Sequence, residues 1–306
     1  MNSPRKAFSL DDVLLVPRHS DLEDRKSVNF RNKGLRIPII SSPMDTVTGF
    51  DMMRAIKNVG GIGIHHRYCD KETLLEAQKY GWIAVSPSMG VAFLKKLDKG
   101  TTVVIDVAHG DCISALDYAE EAVKIGLRVV SGNIVTPDAA FNYRRIGVNI
   151  VKVGVGSGDA CTTRYVAGVG VPTFTTIRDI KECYPEMTII ADDGLKNSGD
   201  IVKALAAGAD WVILGRLLAG AKEAPGLRSI NGIKLYRGMA SRSALKEANK
   251  EINIEGEEKW VDEDGSVKDI IDSLLVGIRA GLAYCGAKDI KELQRVAQFV
   301  NVSKIK

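Results

Sequence analysis

Short apolar runs alternate with amphipathic stretches along most of this chain, and this alternation constrains its fold more than any other feature. Strands that alternate with helices form parallel sheets. We therefore predict an α/β fold, a (β/α)8 or TIM barrel, with an open doubly wound sheet as the structural alternative. The eight predicted strands cover residues 37–41, 61–65, 82–86, 102–107, 128–132, 149–154, 188–192 and 211–215.

The segments between these strands carry helix signals. Apolar residues recur at helical spacing across 113–125, and Gly126 follows as a candidate cap. Thr136 and Pro137 form a typical helix start, with a hydroxyl at the cap and proline in the first turn. A further helix is predicted to begin at Ser198 and to end near Gly208.

Composition excludes several classes of protein. The 306 residues are 45% hydrophobic and 26% charged, which is ordinary for a globular protein, and a net charge of +4 is too small to indicate nucleic-acid binding. Five widely spaced cysteines without a CxxC pair fit a reduced, cytoplasmic protein. No apolar leader or membrane span is recognisable, so we expect no membrane partner. No linker divides the chain, which predicts a single domain over 1–306.

A glycine-rich loop places one cysteine after the apolar run 148–153. Residues 154–164 read GVGSGDACTTR, and three glycines in five residues let the backbone turn sharply and approach a ligand. Cys161, with Arg164 three residues later, is placed to act as a thiolate nucleophile. The alternative is that Cys161 is a small buried hydrophobe.

Polar residues follow the predicted strands at the ends that meet on one face of a barrel. Barrel enzymes often bind phosphate through the loops after the last two strands, which here supply Gly194, Gly215 and Arg216. Four scattered histidines have no metal-ligand spacing, so we predict no transition-metal site. The polar set comprises Asp45, His65, His66, Asp106, His109, Asn133, Cys161, Asp192, Asp193, Gly215 and Arg216.

The segment after the eighth predicted strand is rich in Lys and Glu and is the least regular part of the chain. Composition alone fits either a solvated surface excursion or a flap over the active site. We predict a flap over residues 238–264.

These motifs together resemble the family of inosine-5′-monophosphate dehydrogenases and guanosine-5′-monophosphate reductases. The resemblance implies a TIM barrel, assembled as a homotetramer, that acts on C2 of a purine nucleotide. It also implies that Cys161 attacks C2 and forms a covalent thioimidate. The matching segments are 11–17 (DDVLLVP), 44–47 (MDTV), 60–63 (GGIG), 154–164, 190–192 (IAD), 219–220 (AG), 224–226 (APG), 236–239 (YRGM) and 284–287 (YCGA).

Within that family, the chain resembles the reductases more closely. Only about seventeen residues separate His65 from Trp82, where dehydrogenases usually carry a regulatory domain pair. Residues 238–256 lack the Arg-Tyr pair that activates water in the dehydrogenases. Residues 106–110 (DVAHG) also resemble the fourth-strand motif of the reductases. The resemblance therefore implies NADPH-dependent conversion of GMP to IMP with release of ammonia; IMP dehydrogenase is the alternative.

The resemblance also implies a role for each matching residue. Cys161, Thr163 and Glu255 are the implied catalytic residues, with the threonine and glutamate handling the proton for departing ammonia. The implied substrate ligands are Asp192, Asp193, Gly194, Gly215, Arg216, Tyr236, Gly238, Met239 and Ala240. The implied cofactor ligands are Arg67, Asp106, Val107, Ala108, Val155, Gly156 and a second group, Ala280, Gly281, Leu282 and Ala283, which a neighbouring subunit could supply. A potassium ion would take carbonyl oxygens from Gly156, Gly158, Cys161 and Arg164.

Three residues at the implied phosphate end depart from the family pattern. Asp159 stands where serine is common, Asp193 where a second glycine is common, and Arg216 where serine or glycine is common. Added carboxylates repel a phosphate dianion, and one arginine offsets part of that repulsion. We therefore expect either altered phosphate contacts or a related guanine nucleotide or nucleoside as the substrate.

Overall fold

The computed structural model describes residues 4–192, 194–248 and 255–302. Eight parallel strands, β2 to β9, close into a barrel in chain order. Two antiparallel pairs, β1 with β12 and β10 with β11, lie outside the barrel. The strands are β1 (Val13–Leu15), β2 (Ile39–Ser41), β3 (Ile62–His65), β4 (Trp82–Val85), β5 (Thr102–Asp106), β6 (Arg128–Ile134), β7 (Ile150–Val153), β8 (Thr188–Asp192), β9 (Trp211–Leu214), β10 (Ile233–Arg237), β11 (Glu258–Asp262) and β12 (Phe299–Asn301).

Helices follow the barrel strands, as the alternating pattern predicts. Short 3-10 turns cover Leu10–Asp12, Arg25–Ser27 and Pro87–Met89. The α-helices are α1 (Phe50–Val59), α2 (Lys71–Ala77), α3 (Val91–Leu94), α4 (Ile113–Ile125), α5 (Pro137–Arg145), α6 (Thr163–Val166), α7 (Thr173–Cys183), α8 (Ser198–Ala207), α9 (Arg216–Ala219), α10 (Arg242–Glu247), α11 (Val267–Tyr284) and α12 (Ile290–Val296).

The sheet closes between its first and last strands. Ile40 of β2 pairs in parallel with Ile62 of β3 on one side and with Ile213 of β9 on the other. Each of the eight predicted strands overlaps one observed barrel strand, with ends displaced by at most two residues. The predicted TIM barrel is therefore confirmed, and the open-sheet alternative is wrong.

Apolar side chains form two clusters, one inside the barrel and one between the strands and the surrounding helices. One cluster lies among the barrel strands and includes Ile40, Ile64, Val104, Ile190 and Trp211, all buried. The larger cluster joins the outer faces of the strands to the helices around them. Because the strands are buried on both faces, they read in the sequence as continuous apolar runs.

The helix ends agree with the sequence signals. Helix α4 ends at Gly126, whose φ of +90° is the left-handed conformation that favours glycine. The hydroxyl of Thr136 accepts a hydrogen bond from the Ala139 amide at 3.2 Å and caps α5. Helix α8 begins at Ser198, and its cap is the Asn197 side chain, which accepts from the Asp200 amide at 2.9 Å.

The strands outside the barrel are absent from the sequence-based prediction. In the β10–β11 ribbon, Ile233 pairs with Asp262 and Arg237 pairs with Glu258. The ribbon frames most of the predicted flap, of which residues 249–254 lie outside the described residues. Within the described ranges, no helix is long and apolar enough to cross a membrane.

Shortening Ile190 at the barrel centre tests the packing. We expect Ile190→Ala to lower the free energy of unfolding by about 2–5 kcal/mol, and Ile190→Val by about 0.5–1.5 kcal/mol, because each leaves a cavity that rigid strands fill poorly. Urea denaturation followed by circular dichroism measures both. Val300→Ala, at a half-exposed position of β12, is the control. An equal loss of unfolding free energy in Val300→Ala and Ile190→Ala would contradict the central packing of Ile190.

Candidate active site

A cavity of about 560 Å³ opens at the carboxyl ends of the barrel strands. This volume lies in the range of ligand-binding pockets, and the position is where barrel enzymes place their sites. Loops after β5, β7, β8 and β9 line it, together with residues around the β10–β11 ribbon. Segments far apart in the sequence therefore meet around one cavity.

Cys161 is the first member of a hydrogen-bonded chain of three side chains in this cavity. Its thiol donates to the hydroxyl of Thr163 at 3.2 Å. That hydroxyl in turn donates to a carboxylate oxygen of Glu255 at 2.7 Å. All three residues line the cavity. The arrangement connects a nucleophile to a carboxylate through one hydroxyl, so a proton can pass along it.

Backbone hydrogen bonds hold Glu255 beside the cysteine loop. The Thr162 amide donates to the Glu255 carbonyl at 2.9 Å, and the Glu257 amide donates to the Ala160 carbonyl at 3.0 Å. Between them, a Cβ on Gly256 would lie 2.8 Å from the backbone nitrogen of Ser241. Only glycine fits at this position without a shift of the backbone. The close packing fixes the Glu255 side chain relative to Cys161.

The same segment also contacts the residues after β10. The Gly238 amide donates to the Glu257 carbonyl at 3.0 Å, and the Glu255 amide donates to the Ala240 carbonyl at 3.2 Å. Arg237, at the end of β10, binds the carboxylates of Asp45 and Glu247. These ion pairs fasten β10 to the loop after β2 and to α10, and so hold the backbone from which Gly238 follows.

A buried ammonium group on β7 links the ends of β5 and β8 at the barrel mouth. Lys152 of β7 has only 1% of its side chain exposed. Its Nζ donates to Asp106 of β5 at 3.1 Å and to Asp192 of β8 at 2.9 Å. Arg67 adds a second cation, with Nε 3.3 Å from the Asp106 carboxylate. Two cations and two carboxylates therefore form a neutral network under the cavity.

The pKa values of this network favour the charged forms. Burial alone would lower the pKa of Lys152, but attraction to Asp192 and Asp106 outweighs it and raises that pKa above its usual value. Burial alone would raise the pKa of Asp106, but Lys152 and Arg67 hold it below its usual range. Asp106 therefore remains available as an ionised hydrogen-bond acceptor at neutral pH, and Lys152 remains a cation.

Asn133 orients the second carboxylate. Its amide nitrogen donates to the Gly154 carbonyl at 2.7 Å and to the Asp192 carboxylate at 3.1 Å. Asp192 therefore receives hydrogen bonds from both Asn133 and Lys152 at the edge of the cavity. A carboxylate held in this way is suited to accept hydrogen bonds from the hydroxyl groups of a ligand.

The other end of the cavity carries charges of both signs, on the loops after β7 and β9 and on the ribbon. The Asp159 carboxylate lies 3.8 Å from Nε of Arg216 and 3.3 Å from Nζ of Lys259. Lys259 also donates to the Asp159 carbonyl at 2.6 Å and lies 3.4 Å from the Glu257 carboxylate. We call Asp159, Arg216, Glu257 and Lys259 the charged end of the cavity.

The structure brings most of the predicted site residues together. The predicted catalytic set, Cys161, Thr163 and Glu255, lines the cavity. So do the predicted substrate ligands Asp192, Gly194, Gly215, Arg216, Tyr236, Gly238, Met239 and Ala240. Asp193 lies outside the described residues. On the cofactor side, the cavity is lined by Arg67, Asp106, Val107, Ala108, Val155 and Gly156.

One predicted group lies elsewhere. Residues 280–283 belong to α11, where a Cβ on Gly281 would meet the Val202 side chain of α8 at 2.7 Å. They do not line the cavity of their own chain. Their predicted contact with a cofactor therefore depends on a neighbouring subunit.

The four predicted potassium ligands fall within a single tight loop. A Cβ on Gly156 would lie 3.3 Å from Cβ of Arg164, so the two ends of the loop meet. Within the loop, the Gly158 carbonyl accepts a hydrogen bond from the Cys161 amide at 3.1 Å. Potassium binding by the carbonyl oxygens of this loop stays a prediction.

The structure adds Cys69 to His65 and His66 of the predicted polar set, and the ligand atoms of these three residues lie within 4.8 Å of one another. The two imidazole rings stack at 4.7 Å, and the Cys69 thiol donates to the His66 carbonyl at 3.4 Å. Burial, with the nearby His65 and Arg237 charges, lowers the pKa of His66 to about 3. These side chains pack against one another as neutral groups.

Sequence reasoning also missed Lys152 and Lys259. A lysine inside the apolar run 148–153 was a usable signal, because a buried ammonium group needs carboxylate partners. Lys259 gave no comparable signal, since it lies in a segment rich in charged residues. Only the pairing of β10 with β11 brings it to the cavity.

Comparison with known proteins assigns the family. The model of the IMP dehydrogenase / GMP reductase domain matches residues 7–79 and 92–305. Inosine-5′-monophosphate dehydrogenase of Borreliella burgdorferi is 32% identical, over 98% of this chain and 95% of its own. The Cryptosporidium parvum enzyme of the same name is 31% identical, over 97% of this chain and 92% of its own. The chain therefore belongs to the IMP dehydrogenase / GMP reductase family of oxidoreductases.

A solved structure shares the fold. The crystal structure of GMP reductase C318A from Trypanosoma brucei in complex with guanosine 5′-monophosphate superposes with a TM-score of 0.89. The two sequences are 24% identical, and the superposition covers 98% of this chain and 96% of that one. Halalkalibacterium halodurans inosine-5′-monophosphate dehydrogenase is 34% identical, and this chain spans 63% of its length.

Removing the buried ammonium group tests the barrel-mouth network. We expect Lys152→Met to lower the free energy of unfolding by about 3–5 kcal/mol at neutral pH, because it leaves two carboxylates short of a buried cation. Denaturant unfolding measures the loss. Lys124→Met, at an exposed lysine with two helical carboxylate neighbours, is the matched control and should change stability much less.

The loss in Lys152→Met should depend on pH. The pKa of Asp106 is held below its usual value. Its stabilising contribution is therefore present above the usual Asp pKa and disappears as the pH falls through the lowered one. The difference between Lys152→Met and wild type should shrink in that acidic window. A difference that stays constant down to the acid transition would contradict the network.

Proposed function

We propose that this protein is a GMP reductase-like enzyme that converts a guanine nucleotide to the hypoxanthine nucleotide with release of ammonia. The observation that carries the proposal is the hydrogen-bonded chain from Cys161 through Thr163 to Glu255. It joins a nucleophile to a proton carrier without a water-activating Arg-Tyr pair in 238–256. Such a site favours departure of an amine over attack by water.

The chain of hydrogen bonds serves two proton transfers. When the Cys161 sulfur attacks C2 of the purine, its proton passes through the Thr163 hydroxyl to Glu255. The sulfur–carbon bond forms as the ring takes up the electron pair. The proton then returns through Thr163 to the amino group, and the carbon–nitrogen bond breaks. The amine leaves as ammonia, and the purine stays bound to Cys161.

The cofactor side of the cavity fits a nicotinamide dinucleotide. NADPH, when bound, supplies the hydride that C2 receives as the bond to Cys161 breaks. Arg67, Asp106, Val107 and Ala108 lie together on one wall of the cavity. Nε of Arg67 donates to the Asp106 carbonyl at 2.9 Å, which holds the guanidinium in place. We propose that Arg67 binds the 2′-phosphate of NADPH, because a guanidinium binds phosphate strongly.

The substrate side is divided between Asp192 and the residues after β10. Asp192, fixed by Asn133 and Lys152, would accept hydrogen bonds from the ribose hydroxyls. The backbone of 238–240, held against Glu255 and Glu257, would line the purine. The Trypanosoma brucei GMP reductase of the same fold was solved in complex with guanosine 5′-monophosphate, which supports a guanine nucleotide as the ligand. We propose a homotetramer as the working assembly.

A second function has support from the relatives. The Borreliella burgdorferi and Cryptosporidium parvum proteins are named inosine-5′-monophosphate dehydrogenase. In that reaction NAD accepts a hydride from IMP and water releases XMP. The chain of Thr163 and Glu255 could then serve water instead of ammonia. A nucleotide-binding regulator without turnover is a third, weaker alternative, because the three side chains are arranged for reaction.

Paired assays separate these functions. We expect NADPH to be oxidised in the presence of GMP, with ammonia released in equal amount, and no NAD reduction with IMP. Absorbance at the nicotinamide band and an ammonia assay measure both. Reduction of NAD with IMP would instead establish the dehydrogenase. Nucleotide binding without turnover in either direction would establish the regulator.

Cys161→Ala should abolish turnover, because no covalent bond to C2 can form without the sulfur. GMP binding should persist, since the residues that would hold the ribose are unchanged; calorimetry measures it. Cys183→Ala, at an exposed cysteine, is the matched control and should remain active. Turnover by Cys161→Ala at more than a trace would rule out the covalent mechanism.

Glu255→Gln should separate proton transfer from hydride transfer. We expect GMP deamination to slow by about 10²–10⁴-fold, because the amide cannot return a proton to the amine. Hydride transfer can be followed alone with IMP and NADP in the absence of ammonia, where the reverse reaction stops at the covalent adduct. That step should slow less, because it needs Glu255 only to accept the thiol proton, whereas deamination also needs Glu255 to protonate the leaving amine. Equal slowing of both steps would remove the proposed role of Glu255.

A further inference from the structure

The charged end of the cavity lies where the ribose would end. Asp192, which closes β8, is the proposed ribose ligand. The charged end is built on the loops after the two flanking strands, β7 with Asp159 and β9 with Arg216, and on Lys259 of β11. A group attached to the 5′ carbon of the ribose therefore faces these side chains.

The charges at this end cancel. Arg216 and Lys259 contribute two positive charges, and Asp159 and Glu257 contribute two negative ones. Each cation already has a carboxylate within 4 Å, since Arg216 pairs with Asp159 and Lys259 pairs with both acids. A phosphate dianion that binds here must compete with these carboxylates for their cations, and Asp159 repels it.

A hydroxyl group meets no such competition. The Asp159 side chain is 37% exposed, so an acceptor oxygen can reach a ligand while the carboxylate stays paired with Arg216 and Lys259. A hydroxyl that donates to an ionised carboxylate makes a stronger hydrogen bond than one to a neutral oxygen. The Gly158 carbonyl, which accepts from the Cys161 amide, fixes the turn that presents Asp159.

We propose that guanosine, a purine nucleoside with a free 5′-hydroxyl, is a second substrate of this enzyme and that Asp159 is the residue that admits it. This proposal rests on the proposed reductive deamination. In the reaction, a hydride from NADPH replaces the amino group at C2, and the amino group leaves as ammonium with two protons from solvent. Guanosine becomes inosine, and NADPH becomes NADP.

The test compares kcat/KM for GMP with kcat/KM for guanosine, both measured by NADPH oxidation. In the wild type we expect the GMP-to-guanosine ratio to be below about 100. Asp159→Ser should raise that ratio at least about tenfold, by improving GMP and weakening guanosine. Asp159→Asn serves as a second variant in case Asp159→Ser does not fold. It keeps the shape of the side chain, removes its charge and should shift the ratio in the same direction.

Asp262→Asn is the matched control. It removes one negative charge from β11, the strand that carries Lys259, at an exposed residue that does not line the cavity. Its ratio should equal that of the wild type. A wild-type ratio above about 100, an unchanged ratio in the Asp159 variants, or an equal shift in Asp262→Asn would each overturn the proposal.

Failure of this proposal differs from failure of the proposed function. If GMP supports NADPH oxidation but guanosine does not, the reductase stands and the role of Asp159 falls. If neither compound supports NADPH oxidation by the wild type, the reductase itself falls, and the proposal about guanosine falls with it.

Discussion

The backbone contact between the cysteine loop and residues 255–257 determines what the cavity can do. Without the Thr162–Glu255 and Glu257–Ala160 hydrogen bonds, the carboxylate of Glu255 would have no fixed position relative to Cys161. A nucleophile on a glycine-rich loop is mobile unless another segment holds it. Here that segment also supplies the carboxylate, so the contact that orders the loop completes the chain of hydrogen bonds.

The buried Lys152 fixes the positions of two carboxylates at the barrel mouth, as the backbone contact fixes Glu255. Two carboxylates at the ends of β5 and β8 would repel each other and would be costly to bury without a cation. Lys152 of β7, the strand next to β8, lies between them and makes both usable. Because Asp106 lies on the proposed cofactor side and Asp192 on the proposed substrate side, one ammonium group would order acceptors for both ligands. One lysine can reach both carboxylates because the barrel strands end at the same face.

The sequence predicted the barrel because each strand is a continuous apolar run, and it predicted Cys161 because the glycines around it are unusual. It predicted Glu255 only through the family resemblance, since that residue lies in a charged segment with no local signal. The β10–β11 ribbon was missed for the same reason. Lys259 reaches the cavity through strand pairing between residues about twenty-five positions apart, and local composition carries no information about such pairing.

Two reactions in one family require that small changes around a shared nucleophile select the second step. Both reactions begin with sulfur at C2, so the barrel and its cysteine loop need not differ. What must differ is whether the site protonates a leaving amine or deprotonates an attacking water molecule. In this chain the Thr163 hydroxyl connects Cys161 directly to Glu255, which would place the proposed proton carrier beside the proposed covalent bond. A leaving amine must take its proton at that place, whereas an attacking water must lose its proton on the path to C2. Under the proposed mechanism, selection between the two reactions depends on the residues around Glu255, because both reactions share the fold.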